Sequence, residues 1–225
     1  MNISIIIPTL NEQANLGLLL KELRAFHGLE IIVADGGSTD HTLAIARGYG
    51  TATVSSEPGR GVQQNMGAEL ATREILLFLH CDTRLPENFF KHVQLLLNQP
   101  DTAAGAFRLK IDATGAGYRL VEWGANLRSI IFKMVYGDQA LFVYRKIFHQ
   151  VGGFPNQLIL EDVELVRRLK KIGRIQLAPV AVTTSARRWQ RYGLLRTTLL
   201  NQIILASHFC KVAPERLGRL YYKNN

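Results

Sequence analysis

Only two cysteines, Cys81 and Cys210, occur in the 225 residues. Two thiols cannot build a disulfide framework, and their scarcity suits a reducing cytoplasm. No GxGxxG follows any strand-like run, and GxxxxGK[ST] is absent throughout. A Rossmann dinucleotide fold and a P-loop enzyme are thereby disfavoured. No apolar run is long enough to span a bilayer: residues 194–212 are interrupted by Arg196, Asn201, Gln202, His208 and Lys211. Internal repeats and low-complexity segments are missing too. Met1-Asn2 leads straight into ISIII with no basic leader and no small-residue cleavage site, which sets the expectation of a cytoplasmic protein.

Acidic residues are scarce in one place only. Residues 1–166 hold 14 Lys/Arg and 17 Asp/Glu, whereas residues 167–225 hold 13 Lys/Arg and the single acid Glu215. The body is therefore mildly acidic and the last quarter strongly basic. Such a tail suits phosphate-bearing partners: a nucleotide, an anionic membrane surface or nucleic acid. The cations are not interleaved with a stacking platform for bases, which counts against nucleic acid.

What is present is a regular alternation. β-branched or apolar runs at Ile3–Ile7, Glu30–Ala34, Thr51–Ser55 and Leu76–His80 read as buried strands, the first stopped by Pro8. Between them lie helical patterns, the clearest being Leu16, Leu19, Leu20 and Leu23. Strand–helix repeated four times with short loops implies an α/β fold, a mainly parallel central sheet with helices on both faces. Ligands bind such sheets at the carboxyl ends of the strands. Three strands end there in polar clusters: Thr9/Asn11/Glu12, Asp35, and His80/Asp82.

His80 and Asp82 are two apart, so in an extended chain they share a side and make a half-site for Mn²⁺ or Mg²⁺. The alternative is a core histidine beside a helix-capping aspartate. Glu161-Asp162 opens a helix; the two acids either complement its dipole or supply a general base. The pattern from Gly117 to Val135 reads as a long helix whose apolar face, with Trp123, Phe132 and Met134, is expected to be core. Arg187, Arg188 and Arg191 surround Trp189 in a loop suited to phosphate oxygens. The apolar pattern that follows suits an amphipathic helix, packed on the domain or lying on a membrane surface.

Six segments, ISIIIPTLNE, VADGGSTDHT, GRGVQQNMGA, LLFLHCDTRLP, YGDQALFVYRKIFHQVGGFP and ILEDVEL, stand in the order found in family 2 glycosyltransferases of GT-A fold. The resemblance covers roughly residues 1–182. It implies a GT-A domain over 1–185 with a basic helical extension over 186–225. It also implies inverting sugar transfer from a nucleotide-diphosphate sugar, a UDP or GDP sugar, to the hydroxyl of a small-molecule or lipid acceptor, with Mn²⁺ or Mg²⁺.

By position, Pro8, Thr9, Glu12, Asp35, Arg60 and Asn65 would line the donor nucleotide. Asp82 and His80 would hold the metal, with His80 standing where the family's DxD motif has its first Asp. Asp162 matches the catalytic base. Asp138, Glu161, Arg187, Arg188 and Trp189 would face acceptor or diphosphate, the last three through a partial match to QxxRW. The HxD variant is similar to a small bacterial subgroup often labelled for arsenosugar biosynthesis. A sugar-phosphate nucleotidyltransferase of related fold, which would want a GxGxR-type loop where PTLNEQ stands, is the rival enzyme. A basic membrane- or nucleic-acid-binding protein is the rival without catalysis. Peripheral contact with the inner membrane face and a homo-oligomer are further expectations.

Overall fold

The computed structural model describes residues 2–210, 212, 217 and 218. The first half is the expected alternation: β1 (Ile3–Thr9), α1 (Gln13–Leu23), β2 (Glu30–Asp35), α2 (Thr42–Gly48), β3 (Ala52–Ser55), α3 (Arg60–Leu70) and β4 (Ile75–Phe78). Then follow β5 (Thr83–Arg84), α4 (Phe89–Leu97), β6 (Thr102–Asp112), α5 (Ala116–Phe132), β7 (Phe142–Tyr144), α6 (Arg145–Gln150), α7 (Glu161–Leu169), β8 (Arg174–Ser185), α8 (Arg187–Tyr192) and α9 (Leu194–Phe209).

All eight strands form one sheet in the order β3-β2-β1-β4-β7-β6-β8-β5. β1 to β4 are parallel to one another, and β6 is parallel to β8. β7 enters between the two groups antiparallel to both neighbours, and β5 closes the edge antiparallel to β8.

The central strands are apolar on both faces because both faces are covered. Ile5, Ile7 and Leu77 point into one core with α1 and α4, where Leu16, Leu20 and Phe89 are fully buried. Ile6, Leu76 and Phe78 point into the other, with Phe148, Val166 and Leu169 of α6 and α7. The strict alternation of neighbours between two cores is the two-residue period of a strand. Gly67 lets α3 sit hard on β1: a Cβ there would lie 2.5 Å from Cγ2 of Ile6.

Two expectations are corrected. Pro8 does not stop β1, which continues to Thr9 in register with Asp35 of β2. Pairing with β4 ends at Ile6, so the missing N–H of Pro8 deprives no neighbour. The long helix ends at Phe132, and its large apolar side chains are not core. Only Ala125 and Ser129 of α5 are buried, while Leu120, Trp123, Ile131 and Phe132 face outward. Among the described residues no helix is long and apolar enough to cross a membrane. Of the expected 186–225 extension, residues 211, 213–216 and 219–225 lie outside the described residues.

Candidate active site

The carboxyl ends of β1 and β8 and the turn after β4 open onto a cleft of about 610 Å³. Its floor comes from Pro8, Thr9, Glu12, His80 and Asp82, one wall from Asp138 and Asp162, the other from Arg187, Arg188 and Trp189. Cleft volume and mixed lining suit a ligand of nucleotide size.

The loops after β1 and β2 are knitted by Asp35. One carboxylate oxygen accepts the N–H groups of Gly37 and Ser38 at 2.9 and 2.8 Å; the other accepts the hydroxyls of Ser38 and Thr9 at 2.5 and 3.1 Å. Asp35 is fully buried and is not among the cleft-lining residues. Asn65 is also drawn away: its amide both donates to and accepts from the backbone of Phe154, each at 2.9 Å. Gln63 of α3, which no sequence signal marked, does reach the cleft. Its Nε2 donates to the carbonyls of Thr9 and Ala34 at 2.6 and 3.0 Å, holding two strand ends together.

After Phe78 the chain leaves the strand and turns, with Thr83 N–H donating to the His80 carbonyl at 3.1 Å. His80 and Asp82 both reach the cleft through this turn rather than through strand alternation. Asp82 caps no helix, since α4 begins at Phe89 behind Asn88. Burial pushes the His80 imidazole down to about 4, aided by the charge of Arg60, so it is neutral at pH 7. Burial raises the Asp82 carboxyl and Arg187 opposes that rise. Arg187 Nε lies 3.1 Å from Asp82 Oδ2, and its two terminal nitrogens fork onto both oxygens of Glu12.

The Glu161-Asp162 pair is divided by the helix it opens. Glu161 is buried with Oε1 3.1 Å from Arg60 Nε; its pKa is raised by burial against the pull of that arginine. It is not a cleft-lining residue, whereas Asp162 is. Leu160, just ahead of them, takes the left-handed conformation with φ 59°, which turns the chain into α7. Asp162 Oδ2 accepts the N–H of Gly137 at 2.6 Å, and Oδ1 accepts that of Val163 at 2.8 Å.

Gly137 belongs to a one-turn segment locked by the buried Gln139. That side chain donates to the Phe107 carbonyl at 3.0 Å and accepts the Ser129 hydroxyl at 2.9 Å. The same turn carries Asp138, whose pKa is pushed up to about 6 by burial against the charge of Arg128. Its Oδ1 is buried without a hydrogen-bond partner among the described residues. So are Trp189 Nε1 and Thr197 Oγ1, on other walls of the same cleft. Buried polar atoms left unmet in a cleft are places for a ligand's hydroxyl or phosphate groups. Tyr136, under the Arg128 guanidinium at 3.7 Å, also lines the space and was not legible beforehand.

The profile of Glycosyl transferase family 2 matches residues 4–154. The chain belongs to this family. A "PGL/p-HBAD biosynthesis glycosyltransferase" of Mycobacterium bovis is 30% identical over 163 residues, 67% of this chain and 62% of its own length. "Glycosyltransferase AglE" of Haloferax volcanii is 27% identical over 188 residues, 76% of this chain and 62% of its own. The chain thus spans under two thirds of these family members.

Among solved structures, a mannosyltransferase from Pyrobaculum calidifontis in complex with GDP-Man and Mn²⁺ superposes with TM-score 0.65 at 20% identity, covering 82% of this chain and 56% of that one. Staphylococcus aureus TarS in complex with UDP-GlcNAc gives TM-score 0.64 at 19% identity, covering 82% and 58%. The fold is that of the GT-A glycosyltransferases.

A divalent cation fits the residues present in one specific sense. Among the described residues no group of three His, Cys, Asp or Glu side chains converges to hold a metal. Asp82 with neutral His80 is a carboxylate–imidazole pair that would fit Mg²⁺ or Mn²⁺ only if substrate phosphates and water supplied the remaining ligands.

Proposed function

We propose that this chain is an inverting glycosyltransferase that moves a sugar from a UDP or GDP sugar to an acceptor hydroxyl. The observation that carries the reading is the position of Asp162. Its carboxylate is fixed by two backbone N–H groups in the same cleft as Asp82 and the Arg187–Arg188 pair.

Asp162 takes the proton of the acceptor hydroxyl. The oxygen then attacks the anomeric carbon from the face opposite the diphosphate, and the carbon–oxygen bond to the diphosphate breaks. One base and one displacement invert the configuration, unlike the two-carboxyl arrangements of glycoside hydrolysis. Charge accumulates on the leaving diphosphate, and Arg187 and Arg188, which line the cleft, are the cations that would meet it. Stabilisation of this kind grows as the bond breaks and lowers the barrier. Asp82 and His80 would hold Mn²⁺ or Mg²⁺, which would supply further neutralisation of the charge on the departing diphosphate. Asp138, with an unmet carboxylate oxygen, binds a hydroxyl of the transferred sugar or of the acceptor. Pro8, Thr9 and Glu12 floor the nucleoside end of the cleft. Asp35 and Asn65 act from behind it, by holding loops.

The test is a thermal-shift panel of UDP, GDP, CDP and dTDP, each with Mn²⁺ and with EDTA. A ligand that binds only the folded state raises the melting temperature. A shift by UDP or GDP that Mn²⁺ strengthens and EDTA removes is expected. The absence of any shift in folded protein contradicts the reading.

A further inference from the structure

α9 has two faces of different character. Thr197, Asn201 and Ile204, at helical spacing, line the cleft. On the opposite side Leu195, Leu199 and Ile203 form a solvent-facing ridge. α5 lies beside it: a Cβ on Gly117 would meet Leu194 Cδ2 at 2.3 Å, so the start of α5 is seated against the start of α9. α5 carries its own outward stripe at i, i+3 and i+11, namely Leu120, Trp123 and Ile131. These six large apolar side chains are between 54% and 77% exposed. Scattered apolar residues on a surface are ordinary, but stripes on two touching helices mark an interaction face.

The charge around them favours one occupant. Arg187 and Arg188 line the cleft and Arg128 lies over Tyr136. Arg191, Arg196, Arg119 and Lys133 are exposed, and Glu122, paired with Arg119, is the one acid in residues 116–133 and 187–210. A second copy of the chain would bring two positive faces together, which electrostatics opposes. Apolar stripes on chain segments that also expose Arg191, Arg196 and Lys133 match the boundary between anionic headgroups and acyl chains. We propose that the outer faces of α5 and α9 form a docking surface for an anionic lipid bilayer. Docked so, the cleft stands one helix width from the lipid, since α9 is at once its wall and the contact. A lipid-borne hydroxyl then falls within reach of Asp162; that consequence rests on the transferase reading, whereas the docking does not.

The experiment is co-sedimentation of the full chain with vesicles of phosphatidylcholine alone and with vesicles rich in phosphatidylglycerol. Binding to the anionic vesicles, reduced by high salt and nearly absent on phosphatidylcholine, is expected. Leu199→Glu with Ile203→Glu, both exposed and so tolerable to the fold, should weaken that binding roughly tenfold or more, as loss of buried aliphatic surface implies. Thermal melting confirms that the variant is folded, and Trp123→Glu on α5 gives an independent second probe. Failure of the wild type to sediment with anionic vesicles overturns the proposal. So does equal binding by both variants. A dimer in light scattering that Leu199→Glu dissociates also overturns it, because a second copy would then cover the face. None of these readouts depends on sugar transfer.

Discussion

Arg187 reaches across the cleft to Asp82, Nε to Oδ2 at 3.1 Å, while forking onto Glu12 with its other nitrogens. One side chain from the basic last quarter thereby ties the first loop of the chain to the turn after β4. It also places a fixed positive charge beside the carboxylate proposed to hold a cation.

Replacing Arg187 with Ala removes two partly exposed ion pairs, to Asp82 and Glu12, each worth about 1 kcal/mol or less in stability. Its effect on transfer should be far larger, a fall in kcat of roughly 10²-fold, because charge stabilisation at the leaving group is lost. Steady-state kinetics beside a melting curve checks the split. A large loss of stability with unchanged kcat would assign Arg187 a structural role alone.

Gly137 sits between His80 and Asp162, both on the cleft. An added Cβ would lie 2.9 Å from His80 Nε2 and 3.4 Å from Asp162 Oδ2. Gly137→Ala must therefore push one of them aside or move the turn that holds the Asp162 carboxylate. A displacement near 1 Å can cost roughly 10² in rate. Kinetics of the variant should show kcat falling by about that factor with nucleotide affinity little changed.

The buried Asp138 carboxyl titrates near 6 in the fold, against an ordinary value of 3.8. An acid with a raised folded value favours folding while protonated: the benefit is full below 3.8 and lost as pH rises through about 6. Above that the fold carries the charge at a cost on the order of 3 kcal/mol. Asp138→Asn should then melt higher than wild type at pH 8 and show no such gain at pH 4, while transfer falls. Melting curves at the two pH values test it; a variant less stable at pH 8 contradicts the burial argument.

Asn65 clamps both polar groups of the Phe154 backbone. Asn65→Ala leaves them unmet beside a buried ring and should cost roughly 1–3 kcal/mol of stability. Nucleoside diphosphate affinity, measured by calorimetry below the melting temperature, should change little. A selective loss of affinity would restore the donor-contact role that the sequence resemblance implies.

These residues show where reading from sequence succeeds. Ile5, Ile6 and Ile7 announce a strand buried on both faces, and the polar clusters after β1 and β4 announce the cleft, because period and burial are local properties. What depends on long-range geometry was not legible. Arg187 lies 175 residues from Glu12, and nothing local to either says that they meet. Asp35 stands at the carboxyl end of β2, yet its own loop turns back and donates to both of its oxygens. Trp123 and Leu120 look like core by pattern; among the described residues they are exposed. β7 runs antiparallel between two parallel groups, a matter of connection rather than composition.

The most direct measurement is sugar release and transfer by Asp162→Asn, assayed with UDP and GDP sugars beside nucleotide binding by the same protein. The carboxylate is proposed to take the acceptor's proton, and its amide cannot. Transfer should fall by roughly 10² or more, while UDP or GDP still raises the melting temperature. Turnover equal to wild type would remove Asp162 from the base role and with it the proposed mechanism.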